Sequence, residues 1–277
     1  MTQRQTLSPD VIGTELPATT YEYDERDVML YALGIGATEL DFVFERNLKV
    51  LPTFAVIPGF PAMMGLMSAV EINPVMLLHG EQRIKLHKPI PAKGRLTTGG
   101  KVTGVYDKGK GALVVVEAET KDEQGELLFV NTSGVFLRGA GGFGGERGPE
   151  AGNKPPDRAP DKSVAMQTAP NQAMIYRLSG DRNPLHVDPA FAKMAGYDTP
   201  ILHGLCTLGH AGRAVLGAYC DNDPSRMTGL EVRFSGVVFP GDTITTEMWD
   251  EGGGRIILQA KTQRGDVVIS NAAATVS

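Results

Sequence analysis

Residues 178–186 read LSGDRNPLH and hold the residue types of an acid–base pair. Asp181 and His186 flank Asn183 and Pro184, and Pro184 restricts the backbone on both of its sides. An aspartate and a histidine that are fixed around one water molecule can remove one proton and deliver another. The stretch is therefore interpreted as an ordered catalytic loop. The alternative is that both side chains only bond nearby backbone, which is the commoner role for an isolated Asp and His at this spacing.

A candidate oxyanion site follows in TPILHGL, residues 199–205. Gly204 is predicted to begin a buried helix, where backbone N–H groups have no acceptor within the helix and the helix dipole favours negative charge. A glycine also lets a bulky thioester carbonyl come close to the backbone. No Ser or Cys is placed to form a covalent intermediate. The residues together predict proton transfer next to a carbonyl group.

The elements that position these residues form an internal repeat. In the first half RIKLHKPIPAKGRLTTGGKV leads to GALVVVEAETKDEQGELLFVNTSGVFL, and in the second LEVRFSGVVFPGDTITTEMW leads to GRIILQAKTQRGDVVISNAAATV. Both alternate apolar and polar residues around Gly-containing turns, which is typical of antiparallel strands. The apolar stretch HGLCTLGHAGRAVLGAYC and the shorter, Met-rich FPAMMGLMSAVEI are predicted helices. Each half is therefore predicted to be an antiparallel sheet covered by one helix.

The predicted domains are residues 1–138 and 164–277, joined by a connector over residues 139–163. The connector is rich in Gly, Pro and charge, which is typical of a segment with no core of its own. Gly139, Gly141 and Gly144 fit the pattern GxGxxG, but a dinucleotide site needs such glycines to open a helix. ERGPEAGNKPP follows and cannot continue as a helix. The linker interpretation is favoured.

Composition excludes several classes of function. The 277 residues are 42% hydrophobic and 21% charged, which is enough to bury a substantial core. The net charge is −5 with no dense run of Lys and Arg, so no nucleic-acid partner is expected. Cys206 and Cys220 lie in the apolar helix and are predicted to be buried thiols in a reducing compartment. Neither a signal peptide, a membrane-spanning apolar run nor a C-terminal S-K-L address is recognised, so no membrane association and a cytoplasmic location are expected.

LSGDRNPLHVDPAFAKMAGYDTPILHGLCTLG resembles the signature of the MaoC-like (R)-specific enoyl-CoA hydratases. From roughly residue 20 to the end, the chain is similar to the double hot-dog hydratase 2 unit of the peroxisomal multifunctional enzyme type 2. LPTFAVIPGF, LHGEQRIKLHKPIP, VYDKGKG and GAGGFGGERG add to the resemblance. It implies an α+β double hot-dog fold, with two curved antiparallel sheets that each wrap around a central helix. The first half would accommodate the acyl chain and carry no catalytic motif.

The resemblance also implies roles for the residues of the motif. Asp181 and His186 would hold and activate a water molecule, Asn183 would help to orient the site, and the amide of Gly204 would bind the thioester oxygen. Water would add to C3 of a trans-2-enoyl-CoA and give a (3R)-3-hydroxyacyl-CoA, with no metal or redox cofactor. Whether Asp181 or His186 is the base stays open, because their titrations are coupled through the shared water.

Contacts with the acyl-CoA are implied for four further residues: His79, Gly80, Lys108 and Phe234. Lys108 suits a CoA phosphate as a point charge. An ordinary turn lysine at 108 and an ordinary core phenylalanine at 234 are equally compatible with the sequence. A zinc site built from three histidines fits by residue type but matches no common ligand spacing, and it is not favoured; the three are His186, His203 and His210.

Two other functions use the same features. A hot-dog thioesterase shares the oxyanion site at the helix terminus and would release free CoA, whereas a non-catalytic acyl-CoA-binding module would bind without turnover. The expected partners are an acyl-CoA thioester and a second copy of the chain in a homodimer. A separate 3-hydroxyacyl-CoA dehydrogenase is also expected, because no dehydrogenase domain is recognised in this sequence.

Overall fold

In the computed structural model, which describes residues 7–73 and 76–277, ten strands form one antiparallel sheet. In chain order the strands are β1 Glu15–Tyr23, β2 Leu77–Leu86, β3 Gly94–Asp107, β4 Gly111–Lys121, β5 Leu127–Arg138, β6 Lys162–Gln167, β7 Met227–Phe234, β8 Thr243–Asp250, β9 Arg255–Thr262 and β10 Val267–Val276. Their order across the sheet is β1-β3-β4-β5-β2-β7-β10-β9-β8-β6. The order β1-β3-β4-β5-β2 in the first half returns as β6-β8-β9-β10-β7 in the second, which confirms the repeat.

The helices are α1 Glu25–Gly34, α2 Leu40–Val43, α3 Val56–Met64, α4 Leu66–Ala69, α5 Gln172–Tyr176, α6 Pro189–Met194 and α7 Gly204–Tyr219. Short turns of 3-10 helix occur at Pro9–Val11, Pro52–Ala55, Arg177–Ser179, Pro184–His186 and Pro224–Arg226. A short helix, α6, follows the catalytic loop, and the carboxylate of Asp188 accepts from the N–H groups of Ala190 and Phe191. Its Pro189 stands at the first helical position, which suits the fixed φ of proline.

The two halves meet edge to edge. β2 and β7 pair antiparallel from Glu81 opposite Arg233 to Lys85 opposite Gly229. The expectation of two antiparallel sheets is confirmed, with the addition that main-chain hydrogen bonds join them into one sheet. Because main-chain hydrogen bonds join the two strands in antiparallel order, the start of β2 and the end of β7 are held side by side. Residues of the first half on β2 therefore lie next to residues of the second half on β7.

Helix α7 forms the centre of the second half and is buried along most of its length. Leu208, Ala211, Val215 and Leu216 are each at most 1% exposed. A helix with so little polar surface needs cover on nearly all sides, and the sheet and α1 provide it. Both cysteines are free and buried, as predicted.

The packing of α7 predicts opposite effects for two glycine-to-alanine changes. A Cβ on Gly209 would lie 3.0 Å from Cβ of Ile35, so Gly209→Ala is expected to destabilise the fold by about 1–3 kcal/mol through overpacking. Gly217 is exposed and its nearest neighbour would be Oδ1 of Asn222 at 3.5 Å. Gly217→Ala should therefore stabilise the fold by about 0.5–1 kcal/mol. Urea unfolding of both variants measures the difference, and equal effects would contradict this packing.

The helix of the first half differs from its prediction. FPAMMGLMSAVEI was expected to form one helix, but α3 begins earlier, at Val56, contains Pro61 and gives way at Gly65 to the short α4. Proline removes one hydrogen bond from a helix interior and shortens its regular part. The helix survives because Val56, Ile57 and Met63 are buried against the sheet.

The expectation that no apolar run reaches membrane-spanning length needs a correction. Pro52–Ala69 covers 18 residues with a mean hydropathy of 1.2 and meets the length and composition of a spanning segment. In the fold this stretch is the 3-10 turn, α3 and α4 in succession, and 61% of it is buried inside the protein. Its buried apolar residues pack into two core clusters, one of which is shared with α7, and this accounts for its composition.

The segment between β5 and β6 follows the sheet without a helix or strand of its own. Asp107 at the end of β3 holds its start, because its carboxylate accepts from the N–H groups of Gly142 and Gly144. These bonds lower the pKa of Asp107. Further along, Asn153 donates to Glu231 on β7. No helix follows the GxGxxG match within this described segment, so the dinucleotide interpretation lacks the helix that it needs.

Candidate active site

The loop from residue 178 to 186 is ordered by its own short hydrogen bonds. Oδ1 of Asp181 accepts from the N–H of Asn183 at 3.1 Å, and Oδ1 of Asn183 accepts from the N–H of Leu185 at 3.0 Å. Pro184 then occupies the first position of the 3-10 turn that carries His186. Gly180 has a φ of 138°, a conformation that strongly favours glycine. The loop is fixed by local chemistry, and the side chain of Asn183 is used to cap the turn.

His186 is buried, with 8% of its surface exposed. Its Nδ1 lies 2.8 Å from the carbonyl oxygen of Ile201, which can only accept, so Nδ1 carries the proton and Nε2 is bare. A carboxylate oxygen of Asp181 and ring nitrogens of His186 and His203 all lie within 4.8 Å of one another. The predicted pair therefore converges, at a separation that one water molecule can bridge.

Burial lowers the pKa of His186, while the carbonyl of Ile201 and the charge of Asp181 oppose the shift. His186 is thus held neutral near pH 7. A neutral imidazole with a bare Nε2 is a proton acceptor for a bound water.

His203 lies against this pair. Its ring stacks on the ring of His186 with centroids 3.6 Å apart and an interplanar angle of 25°. Its Nε2 donates to the main-chain oxygen of Asp181 at 3.1 Å. Burial, together with the neighbouring His186, lowers the pKa of His203 to about 2. From the sequence, His203 was considered for a functional role only as a member of the zinc alternative, although it directly precedes the glycine of the candidate oxyanion site.

By residue type, Asp181, His186 and His203 could hold a metal ion. Since Nε2 of His203 already donates to a carbonyl and its Nδ1 is buried, only Asp181 and His186 offer donor atoms. Two protein ligands fall short of the three that catalytic zinc usually takes. The zinc site considered from the sequence also included His210. That part is wrong, because His210 bonds the carbonyl of Cys206 and lies outside this group.

Gly204 begins α7, and its N–H has no acceptor in the described part of the chain. Gly204 is exposed between buried neighbours. A Cβ at this position would lie 3.3 Å from two ring atoms of Phe234, so the close approach of this phenylalanine favours glycine here. The ring of His79 from β2 meets Phe234 edge-on with centroids 5.3 Å apart. Two predicted residues, His79 from the first half and Phe234 from the second, therefore lie at the start of α7.

A narrow crevice, too tight to admit a water molecule, lies beside this helix terminus. Its apolar wall comes from α3 and from Leu205, which directly follows Gly204. On the sheet side, Gln82 donates to Asn131 at 2.8 Å and accepts from Ser133 at 2.8 Å. Sequence analysis missed this polar network, because its members lie on two different strands.

The two remaining predicted contacts, Gly80 and Lys108, have partners within the fold, and their contact with an acyl-CoA stays a prediction. Gly80 sits where the pairing of β2 with β5 shifts register, and a Cβ there would lie 3.4 Å from the carbonyl of Gly134. Its role in the fold is to allow this irregularity. Lys108 lies in the turn between β3 and β4, where its ammonium donates to the carbonyl of Arg147 in the linker. No contact joins Lys108 to Asp181 or His186 in the described chain.

The first half carries a modified version of the helix start. Pro52 and Pro200 stand at equivalent distances before α3 and α7. The first half then has Ala55 and Val56 where the second has His203 and Gly204. A valine side chain at the helix start blocks close approach to the backbone. The second half alone therefore presents the complete arrangement among the described residues.

The buried histidines predict a dependence of stability on pH. Burial lowers the pKa of His79 and His210 to about 4, and that of His203 to about 2, from an ordinary value near 6.5. Between about pH 6.5 and 4 the unfolded chain binds protons that the folded chain does not. The free energy of unfolding should therefore decrease as the pH is lowered through this range, by up to about 1.4 kcal/mol per pH unit for each group. Urea unfolding at pH 7.5 and 5 measures this, and equal values would contradict it.

Comparison with known families assigns both halves. Residues 21–139 match the MFE-2 hydratase 2 N-terminal domain, and residues 151–273 match the MaoC like domain. The chain is 44% identical to the "Probable enoyl-CoA hydratase 2" of Dictyostelium discoideum over 96% of its own length and 95% of that protein. It is 49% identical to the "Peroxisomal hydratase-dehydrogenase-epimerase" of Neurospora crassa, of which it spans 30%.

Solved structures agree with this assignment. The MaoC-like dehydratase from Phytophthora capsici superimposes with a TM-score of 0.90 at 36% identity, covering 98% of both chains. A Mycobacterium tuberculosis protein described as a double hot-dog fold gives 0.63 at 13% identity, covering 96% of both chains, which shows a shared fold. The predicted double hot-dog architecture is confirmed. The chain belongs to the enoyl-CoA hydratase 2 family, as a hydratase 2 N-terminal domain followed by a MaoC-like domain.

Proposed function

We propose that this chain is an (R)-specific enoyl-CoA hydratase, a hydro-lyase that adds water to trans-2-enoyl-CoA and gives (3R)-3-hydroxyacyl-CoA. The observation that carries the proposal is the convergence of Asp181 and His186 with His203, which directly precedes Gly204 and its free N–H. Family membership supports it, since relatives that match along nearly their whole length are named enoyl-CoA hydratase 2.

The geometry gives each group a task. The N–H of Gly204, at the positive end of α7, donates to the thioester oxygen and withdraws electrons from C3. A water held between Nε2 of His186 and the carboxylate of Asp181 loses a proton to this pair and attacks C3. The pair returns one proton to C2 on the same face, so the elements of water are added and the enzyme ends unchanged.

The acyl chain is proposed to enter beside α3, which must shift to widen the crevice, because the crevice as it stands is too narrow for a water molecule. This places the reacting carbons at the helix terminus, and the chain against Leu205 and the apolar wall from the first half. The substrate brings its own CoA, and the reaction as written needs no metal or redox cofactor. That part of the proposal stays a prediction.

A hydration assay tests the proposal directly. Crotonyl-, decenoyl- and sterol-side-chain enoyl-CoA are each added, the loss of enoyl-thioester absorbance is followed, and the product is resolved on a chiral column. Turnover to the 3R product is expected with at least one of them. A 3S product would overturn the stereochemical assignment. Free thiol in the same reaction would favour the thioesterase, and binding without turnover would favour a carrier module.

Three predictions about the setting of the enzyme also remain proposals. A homodimer would cover exposed apolar side chains such as Leu40, which is 70% exposed. Light scattering, which measures the mass of the particle in solution, tests this. A cytoplasmic location is tested by cell fractionation, with the peroxisomal names of several relatives as the competing expectation. The 3-hydroxyacyl product calls for a separate dehydrogenase, whereas the Neurospora relative is named as a hydratase and dehydrogenase together.

A further inference from the structure

The side chain of His203 contacts both members of the acid–base pair. Its Nε2 donates to the main-chain oxygen of Asp181, and its ring lies flat on the ring of His186. We infer that His203 is a positioning residue that fixes the distance between Asp181 and His186. The inference rests on the proposed hydratase function and adds a third residue to its site.

His203 is unsuited to carry a proton in the reaction. It is 1% exposed, and its Nε2 hydrogen is committed to the carbonyl of Asp181. The bare Nδ1 is buried without a partner among the described residues. With its pKa lowered to about 2, the ring stays neutral throughout the working range and places no competing charge beside His186. It therefore acts through the residues it touches.

The ring of His203 is held from its other side as well. Tyr176, at the end of α5, lies with its ring centroid 4.9 Å from that of His203. Tyr176 is itself 1% exposed and packs on Tyr31 of α1. The imidazole is thus enclosed between Tyr176 and His186, which come from separate segments. A displacement of either segment would be passed to the stacked pair.

The chemistry of His203 exceeds what packing requires. A leucine or phenylalanine could fill the space, but neither could donate to the carbonyl of Asp181. A buried nitrogen without a partner lowers stability, so an imidazole here has a cost that an apolar residue would avoid. Its position next to Gly204 adds a further constraint, because the residue that anchors the pair also sets the start of α7. Pair and oxyanion donor are thereby fixed to one another.

Two substitutions separate the two contacts. His203→Gln keeps an N–H donor for the carbonyl of Asp181 but removes the ring, and His203→Phe keeps a ring against His186 but removes the donor. Each is expected to lower kcat by about 10-fold or more with KM changed less than about 3-fold, since small misplacements of reacting groups are costly. In His203→Gln, water reaches the uncovered face of His186. Its pKa then rises, and the acidic limb of the kcat/KM profile moves to higher pH.

His210→Gln is the matched control. His210 is also 1% exposed and lies on α7, but it bonds the carbonyl of Cys206 and does not contact the pair. This variant should lose a similar amount of thermal stability while keeping kcat and the pH profile. If His203→Phe does not fold, the comparison of kcat and the pH profile between His203→Gln and His210→Gln tests the positioning role.

The failures are distinguishable. No turnover by the wild-type enzyme would defeat the proposed function itself. The positioning role would be overturned if the wild-type enzyme is active and both His203 variants have a lower melting temperature but an unchanged kcat and pH profile. His203 would then be only a core residue.

Discussion

Asp181→Asn is expected to lower kcat for hydration by roughly 100- to 10,000-fold, the range for a positioned acid–base group. The amide has nearly the same size as the carboxylate, and its oxygen can still accept from the N–H of Asn183, so the loop keeps its shape. What is lost is the negative oxygen that faces His186 across the proposed water. The rate of loss of enoyl-thioester absorbance at saturating substrate measures the effect.

Asp223→Asn is the matched control for this change. Oδ1 of Asp223 accepts from the N–H of Ser225 at 3.0 Å, ahead of a 3-10 turn that begins with Pro224, so its local bonding repeats that of Asp181. It follows the end of α7 that is opposite to Gly204. Its kcat should equal that of the wild type. An Asp181→Asn enzyme that folds and retains activity within a few-fold would show that Asp181 does not take part in the proton transfer.

The catalytic loop could be predicted because its order is local. Pro184, the capping of Leu185 by Asn183 and the glycine at 180 act within a few residues, and such rules can be read from the chain. The repeat of strands was equally accessible, since apolar alternation needs no knowledge of distant partners. These two features fixed the pair and the helix that faces it.

The remainder of the site depends on contacts between distant parts of the chain. His79 meets Phe234 because β2 pairs with β7, and nothing in either strand specifies that neighbour. Lys108 is predicted to meet a CoA phosphate; tertiary packing adds the linker carbonyl of Arg147 as a partner of its ammonium, and the phosphate contact stays a prediction. The early start of α3 was missed for a related reason. Proline is best tolerated in the first turn of a helix, which favours a start next to Pro61, but burial of Val56 and Ile57 extends the helix to Val56. Tertiary packing decided each case.

The second large effect is expected at the start of α7, where Gly204→Pro should lower kcat by about 100- to 1,000-fold. Proline is well tolerated at the first position of a helix. The preceding residue, His203, has φ of −59° and ψ of 135°, which is the conformation that a residue before proline prefers. The fold should therefore remain intact, while the N–H that binds the thioester oxygen is replaced by a ring carbon. Steady-state kinetics and a melting curve test both statements.

Gly204→Ala separates the donor from the crowding. Both variants add a Cβ that lies 3.3 Å from the ring of Phe234, but the alanine retains its N–H. Its loss of kcat should be much smaller, and Phe234→Leu in the same chain should recover part of it by relieving the contact. Equal losses in the alanine and proline variants would assign the effect to crowding and remove the oxyanion role. A thioesterase would need the same N–H, so the loss of kcat alone does not distinguish the two enzymes. The product does: the remaining activity of the hydratase must still give the 3R alcohol and no free thiol.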